Sequence, residues 1–320
     1  MNRSAVIFFA AGSAILIALV LYVGVQPVLE AAVSLGFGGL ALVGIVRLGV
    51  IGLEGSAWFV VSRGLIGGRA ADFVWARLVR EAAGEVLPFS QLGGYAAGVR
   101  ALTLAEVNPL PATLSTFADL IAEFLAKFPY LALGLALLSW MRARESFVPL
   151  LFVLLAGLVV LGFALKRLLS RRAILDGLSD RMRAHWPVLA SGGAGGEAST
   201  FAELLSPDWR MGVAILLHFT GWILGGFETW LLFHLMHVQI GLPQAIVIDS
   251  LLSTVRTLAF FVPASVGVQE AFYALLGGLF GITPVEAIAF SLARRARDFA
   301  VGIPILLTWN VREARRVWVK

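Results

Sequence analysis

The sequence lacks cysteine and is poor in charged residues. The absence of cysteine excludes disulfide bonds and thiolate metal sites. Charged residues make up 14% of the chain and hydrophobic residues 59%, whereas a soluble domain is about a quarter charged and about half apolar. One protein core cannot bury this excess of apolar surface in 320 residues, so lipid must solvate it. The composition therefore predicts an integral membrane protein.

Motifs for nucleotide-driven or metal-dependent chemistry are also missing. There is no Walker motif, which argues against ATP-driven transport by this chain alone. His234 and His237 form a pair without a third ligand at a recognisable spacing, so no zinc site is expected. The net charge of +5 is concentrated in a few basic segments, and in a membrane protein such clustering reports topology before nucleic-acid binding. We expect no cofactor, no metal and no nucleic acid.

Six apolar stretches predict spanning helices, because about 20 apolar residues cross a bilayer. They are residues 5–25, 36–62, 112–140, 147–165, 209–236 and 285–309. Two further apolar stretches, 71–106 and 242–282, are each interrupted near the middle by proline, serine and glycine. A membrane tolerates such breaks only where protein or a wet cavity satisfies the freed backbone groups. Each stretch is therefore predicted to form a re-entrant helical hairpin or a tightly bent helix pair.

Basic residues set the predicted orientation of these segments. They concentrate between residues 166 and 183, in the first broken stretch with its approach at 63–80, and at the C-terminus. The positive-inside rule places all three regions in the cytoplasm, and six spans satisfy that placement. We expect a multi-pass protein of the inner membrane with both termini in the cytoplasm and a cytoplasmic loop at 166–208.

Ionisable residues recur at matching distances from the proline of each broken stretch, Pro88 and Pro263. Asp119 and Arg294 each follow their proline by 31 residues, and a second ionisable residue follows four positions later. The full set is Glu54, Arg80, Asp119 and Glu123 in the first half and Glu228, Arg256, Arg294 and Asp298 in the second. These matching spacings predict an internal duplication, with 1–140 as the first membrane repeat and 141–320 as the second.

The predicted topology makes the two repeats inverted. The first broken stretch enters from the cytoplasm and the second enters from the opposite face. Inverted repeats whose broken helices meet near the midplane are the architecture of many secondary transporters. The expected fold class is an all-α polytopic membrane protein with six spanning helices and two re-entrant hairpins in inverted repeats.

The eight matched ionisable residues are the candidate substrate-binding residues. Each would cost about 2.5–3.5 kcal/mol if it stood alone at the bilayer centre, so they either pair or face a wet cavity. We interpret them as the lining of one polar chamber, where Arg80 and Arg256 meet a lipid phosphate. The broken helix near Ser265 adds free N–H groups that favour anions. The alternative is that the charges only bind helix to helix.

The second broken stretch carries the sharpest sequence motif. Its segment FVPASVGVQEA at 261–271 resembles the P-x-x-x-G-[VI]-x-E motif of the lysylphosphatidylglycerol synthase transmembrane-region family, often called flippase-like. Gly267 and Glu270 match that motif and join the candidate set. The first stretch departs from the family's P-G-R-x-G-E, because it reads PFSQLGG at 88–94. Residues 256–309 are most similar to the family's hopanoid-biosynthesis-associated membrane proteins.

The resemblance implies movement of lipids across the membrane, as in the flippase members. The synthase members also carry a soluble aminoacyl-transferase domain, and nothing after Lys320 supplies one. We therefore expect that the chain is not an enzyme. The first hypothesis is a lipid transporter or flippase for an amphiphile such as a hopanoid, a phospholipid or an isoprenoid-linked lipid.

Two alternatives belong to other classes of protein. A membrane-embedded enzyme that modifies a lipid head group would use the acids Glu228, Glu270 and Asp298. A non-transporting partner would instead organise the enzymes of a lipid pathway. Two further expectations concern coupling and assembly. Glu54, Glu228 and Asp298 are candidate proton carriers, and the small residues Gly36, Gly38, Gly39 and Gly44 pack helices within one protomer or between two protomers of a homodimer.

Overall fold

A computed structural model describes residues 25–86, 90–141, 203–206, 208–258 and 268–318. In these ranges the chain forms eight helices of 12 or more residues and no strand. In chain order they are α1 (Val25–Ser62), α2 (Ala70–Val86), α3 (Ser90–Leu104), α4 (Pro109–Met141), α5 (Trp209–Leu235), α6 (Leu242–Leu258), α7 (Val268–Leu279) and α8 (Pro284–Trp318). The all-helical prediction is confirmed for this part of the chain.

Three helices are long and apolar enough to cross a membrane by length and composition. They are the segment Leu35–Ser62 of α1, all of α4 and all of α5. These helices match the predicted spans 36–62, 112–140 and 209–236. The predicted spans 5–25 and 147–165 lie outside the described residues.

Helix α8 covers the predicted span 285–309, but its middle is charged. Arg294, Arg295, Arg297 and Asp298 occupy little more than one turn. Length and composition alone therefore do not mark α8 as a membrane span. Its crossing of the membrane, and the total of six spans, stay predictions.

A kink at Gly36 divides α1. The backbone of Gly36 has φ 66° and ψ 165°, a conformation that glycine adopts without steric cost. Beyond the kink, Phe37 is 90% exposed and Ile45 is 65% exposed on the protein surface. Large apolar side chains at this exposure are stable where lipid covers them, which fits a helix that crosses the bilayer.

Each predicted break separates two short helices. Helices α2 and α3 flank residues 87–89, and α6 and α7 flank residues 259–267; both connecting segments lie outside the described residues. Gly94 of α3 packs so closely on α2 that an added Cβ would lie 2.6 Å from the carbonyl oxygen of Arg80 and 3.1 Å from the nitrogen of Gly84. Helices α6 and α7 are also in contact. Whether either pair is re-entrant stays a prediction.

The chain divides into two compact units. Unit one contains the described parts of Met1–Ile51, Arg77–Gly98 and Leu224–Lys320, and unit two those of Gly52–Ala76 and Val99–Ile223. Both units draw on both predicted repeats. Compactness does not test a repeat relationship, so the boundaries 1–140 and 141–320 stay predictions.

Contacts within the units fix the relative directions of several helices. In unit one, Gly39 and Gly49 of α1 lie against Leu235 and Leu224 of α5, so the two helices are antiparallel. Helices α5 and α8 are also antiparallel, because Glu228 contacts Arg297 while Phe233 stacks on Phe290. In unit two, α4 and α5 run in parallel, because Asp119 contacts His218 while Tyr130 stacks on Trp222. The predicted order of crossings requires each of these directions.

The glycines of α1 do not all serve one packing surface. Gly39 and Gly44 lie against Leu235 and Val301 of their own chain, whereas an added Cβ at Gly36 or Gly38 meets nothing within 4 Å. The first pair therefore packs helices within the protomer. The homodimer stays a prediction.

Candidate functional site

An ion pair joins the two broken stretches within unit one. The Arg256 guanidinium lies 2.6 Å from a carboxylate oxygen of Glu85. Glu85 belongs to the last turn of α2 and Arg256 to the last turn of α6, so each residue lies just before a predicted break. The two side chains are 12% and 18% exposed, which makes this a mostly buried pair.

A second carboxylate of α2 holds two arginines. Glu81 lies 3.0 Å from Arg47 of α1 and 3.0 Å from Arg77, which is four residues earlier on α2. The Arg77 side chain is 1% exposed. Two guanidinium groups therefore share one carboxylate on this side of α2.

Arg80 is buried beside an aromatic ring. It is 2% exposed, and its guanidinium carbon lies 4.4 Å from the ring centroid of Tyr95 on α3. Within this distance the face of an aromatic ring attracts a cation. The contact fixes the side chain between the two helices that flank the first break.

Arg294 links α8 to α6 and α7. Its guanidinium lies 3.4 Å from Asp249 and donates a hydrogen bond of 2.8 Å to the Tyr273 hydroxyl. Asp249 also accepts a hydrogen bond of 3.1 Å from Thr229 of α5. Four helices therefore meet at this arginine and its carboxylate.

One turn further along α8, Arg297 pairs with two carboxylates. It contacts Glu228 of α5 and lies 3.0 Å from the neighbouring Asp298. Arg297 and Glu228 are 2% and 8% exposed. Because charge-assisted hydrogen bonds satisfy both partners, the buried charges stabilise the α5–α8 contact.

These residues form one arginine cluster in unit one. Arg47 and Arg294 both act electrostatically on Glu85, in addition to Arg256, which connects the separate pairs. The members with described contacts are Arg47, Arg77, Arg80, Arg256, Arg294 and Arg297 with Glu81, Glu85, Glu228, Asp249 and Asp298. A cluster of guanidinium groups offers charge-assisted hydrogen bonds to an anion.

A different group of polar residues lies within unit two. Nε2 of His218 lies 2.9 Å from Oδ1 of Asp119, and both side chains are fully buried. The Trp58 indole donates a hydrogen bond of 3.1 Å to Ser115. Glu54 lies one turn before Trp58, and Asp119 lies one turn after Ser115 on an antiparallel helix, so the two acids lie at the same level.

The acid–histidine cluster continues along α4. Lys127 lies 4.8 Å from the ring of Trp222, and Tyr130 stacks on the same ring. Trp222 is one turn from His218 on α5, which keeps Lys127 near the histidine. We group as the acid–histidine cluster Glu54, Asp119, Lys127 and His218 with Glu123, which lies one turn from both Asp119 and Lys127 along α4.

Most of the sequence also matches a known family. Residues 7–305 match the family described as Lysylphosphatidylglycerol synthase TM region, which covers most of the 320 residues. The chain belongs to this family. No curated protein and no solved structure matches it. Family membership confirms the resemblance expected from the motif at 261–271 and makes the chain a membrane protein related to lipid modification or flipping.

Five of the eight matched ionisable residues of this family member belong to unit one and three to unit two. The arginine cluster contains Arg80, Glu228, Arg256, Arg294 and Asp298, and the acid–histidine cluster contains Glu54, Asp119 and Glu123. A single shared chamber for all eight stays a prediction. Ser265 and Gly267 lie outside the described residues, and Glu270 lies in α7 with no described side chain.

Several cluster members were not expected from the sequence. They are Arg47, Glu81, Glu85, Asp249, Arg297 and His218. Each is an ionisable residue within a predicted apolar stretch, and that signal alone marks a residue in a membrane helix as functional. Of the histidine pair considered for zinc, His234 instead stacks on Trp230, as an interfacial aromatic side chain does.

Proposed function

We propose that this chain is a transporter that moves an amphiphilic lipid, such as a phospholipid or a hopanoid, across or out of the inner membrane. The observation that carries the proposal is the Arg256–Glu85 pair within the arginine cluster. It joins the ends of the two helices that precede the predicted breaks, and broken helices that meet inside the membrane build the substrate sites of many transporters.

The lengths of the two helices are compatible with entry from opposite faces. Glu85 lies 15 residues after the start of α2, or about 22 Å at 1.5 Å per residue. Arg256 lies 14 residues after the start of α6, or about 21 Å by the same rise. Together they span about 43 Å, close to the roughly 40–45 Å of a bilayer with its head-group regions. Helices that start at opposite surfaces meet at this depth.

The Arg256–Glu85 pair can exchange one partner for a lipid phosphate, and this exchange provides a transport step. A lipid phosphate offers oxygens that bind a guanidinium bidentately, as a carboxylate does. A phosphate that enters the cluster competes with Glu85 for Arg256 and separates the ends of α2 and α6. When the lipid leaves, the pair forms again, because neither buried charge is stable alone.

The arginines of the cluster favour an anionic head group. A phosphate offers the guanidinium groups an opposite charge and bidentate acceptors. A hopanoid without an anionic group offers no such charge. Among the amphiphiles considered, a phospholipid therefore fits the cluster best, and the hopanoid link of the subfamily remains a proposal of its own.

Two of the three candidate catalytic acids are paired with an arginine, which favours transport over lipid-modifying catalysis. A general base needs a carboxylate within reach of the proton that it removes. Glu228 and Asp298 both contact Arg297 instead. We propose that the chain is not an enzyme and that these acids hold α8 in position. The proposed orientation has both termini in the cytoplasm.

Reconstitution of the purified protein in liposomes tests the proposal. Labelled phosphatidylglycerol is added, and quenching from outside measures its movement between leaflets. We expect movement with the wild-type chain, severalfold slower movement with Arg256→Ala, and full activity with the control Arg210→Ala. Arg210 lies outside the cluster and pairs with Asp208.

Three results would separate the alternatives. Unchanged movement on adding the protein, across several head groups, contradicts transport. A chemically altered lipid in extracts of cells that contain the protein indicates an enzyme. Normal function with both Arg256→Ala and Glu228→Ala in an inserted protein indicates a non-transporting partner.

A further inference from the structure

The His218–Asp119 pair is buried at a depth where solvent does not reach freely. His218 lies nine residues into α5 and Asp119 ten residues into α4, which is about 14–15 Å along either helix. Both helices are apolar enough to span a membrane and run in parallel. This distance is about half the thickness of a hydrocarbon core of about 30 Å.

One nitrogen of this buried imidazole has an unused lone pair. Nε2 of His218 bonds to Asp119, whereas Nδ1 has no hydrogen-bond partner within the described parts of the chain. A neutral imidazole that donates from Nε2 keeps its lone pair on Nδ1. Nδ1 is thus available to accept a proton.

Proton uptake would remove net charge from the site. With a neutral imidazole, the pair carries one negative charge because of the Asp119 carboxylate. A proton on Nδ1 turns it into an imidazolium–carboxylate pair without net charge, and an opposite charge at hydrogen-bond distance favours the charged form of an imidazole. The other ionisable residues of the acid–histidine cluster are Glu54 from α1 with Glu123 and Lys127 from α4.

We propose that the His218–Asp119 pair is a proton-binding site that couples lipid movement to the proton gradient. This coupling rests on the transport function proposed above. A proton suits the site better than a metal cation, because Ca²⁺ and Mg²⁺ require several oxygen ligands. Imidazole is instead the side chain that takes up a proton between about pH 5 and 8. The role differs from the proton carriage expected of Glu54, Glu228 and Asp298.

Histidine-selective NMR of the purified full chain tests proton binding without any transport. The chain has four histidines, and the resonance absent from His218→Gln identifies His218. We expect that resonance to shift between pH 8 and pH 5 as Nδ1 takes up a proton. A resonance that stays constant over this range overturns the proposal.

Liposomes that contain labelled phosphatidylglycerol test the coupling. We expect a pH gradient to accelerate lipid movement severalfold and to leave an uneven distribution between leaflets. His218→Gln should keep gradient-free exchange and lose the acceleration. The control His234→Gln replaces an exposed histidine of the same helix and should keep the acceleration by the pH gradient. Monodisperse elution of each variant establishes that it is folded.

The outcomes distinguish this site from the transport function. If no lipid moves under any gradient while His218 still takes up a proton, the proposed transport function is wrong. The proposed coupling is then wrong as well, because it rests on that function. If lipid moves equally with and without a pH gradient, or a sodium gradient alone drives it, the coupling is overturned. A gradient response that survives in folded His218→Gln overturns it as well.

Discussion

Arg256 and Glu85 lie 2.6 Å apart although 171 residues separate them in the sequence. Each side chain ends a short helix of about 17 residues next to a predicted break. The pair therefore connects the two broken stretches directly. Because each partner is mostly buried, removal of either one leaves a charge without its counterion.

A double-mutant cycle on this pair should give a large coupling energy. Glu85→Gln should lower the free energy of unfolding by on the order of 3 kcal/mol, because a buried charge loses its partner. Adding Arg256→Gln should recover part of that loss. Thermal unfolding in detergent of the wild type, both single variants and the double variant measures the coupling. Additive effects of the two changes would mean that the side chains do not interact.

Gly94 should tolerate no side chain. A Cβ at this position would lie 2.6 Å from a backbone oxygen of α2, so Gly94→Ala should lower the free energy of unfolding by about 1–3 kcal/mol through overpacking. Gly52→Ala is the matched control, because an added Cβ there meets nothing within 4 Å. The control should be neutral or stabilising by up to about 1 kcal/mol. Equal stability of the two variants would contradict the close α2–α3 packing.

Arg297 should matter more than an exposed arginine of the same helix. Arg297→Ala leaves the carboxylates of Glu228 and Asp298 without their shared partner, and loss of a buried partner costs about 3–5 kcal/mol. Arg312→Ala, at an exposed position near the end of α8, should change stability by less than about 0.5 kcal/mol. Thermal unfolding compares the two. Partial rescue of Arg297→Ala by Glu228→Gln is expected, and its absence would argue against the pair.

Asp208 should stabilise the start of α5 in a pH-dependent manner. It accepts hydrogen bonds from the backbone nitrogens of Arg210 and Met211, at 2.9 and 3.3 Å, as an N-cap residue does. Partial burial alone would raise the pKa of Asp208, but hydrogen bonds from Arg210 and Met211 outweigh it and hold the pKa below its ordinary value. The carboxylate therefore contributes stability above the ordinary aspartate pKa of about 3.9 and loses it as pH falls further.

Two substitutions separate the cap from the charge. Asp208→Ala should lower the free energy of unfolding at neutral pH by about 1 kcal/mol. Asp208→Asn should keep most of the cap and lose its acid sensitivity. Unfolding curves at pH 7 and in the acid range below the ordinary pKa measure both effects. An unchanged pH dependence in Asp208→Asn would show that this carboxylate is not responsible.

The sequence predicts the long apolar helices well, because lipid imposes a simple rule of length and composition. The segment Leu35–Ser62 begins one residue before the predicted span, and α4 and α5 differ from theirs by three residues or fewer. Described helices also flank the predicted breaks at residues 88 and 263, and both breaks lie outside the described residues. Proline and glycine interrupt helices locally, so a linear sequence suffices to predict such positions.

Ion-pair partners were harder to predict, because they depend on tertiary contacts. Spacing from the two prolines marks only those ionisable residues that match between the two halves of the sequence. Glu85, Asp249, Arg297 and His218 have no ionisable counterpart at the matching position of the other half. They pair with residues from distant helices instead, which spacing along the chain does not reveal.

The central claim is that α2 and α6 start at opposite faces of the membrane and meet at Glu85 and Arg256. The chain has no cysteine, so single cysteines placed at the helix starts, Arg69→Cys and Gln239→Cys, can be labelled without interference. Intact cells and inverted vesicles are treated with a maleimide that does not cross the membrane. The account predicts that Arg69→Cys reacts only from the cytoplasmic side and Gln239→Cys only from the opposite side. Labelling of both positions from the same side would contradict it.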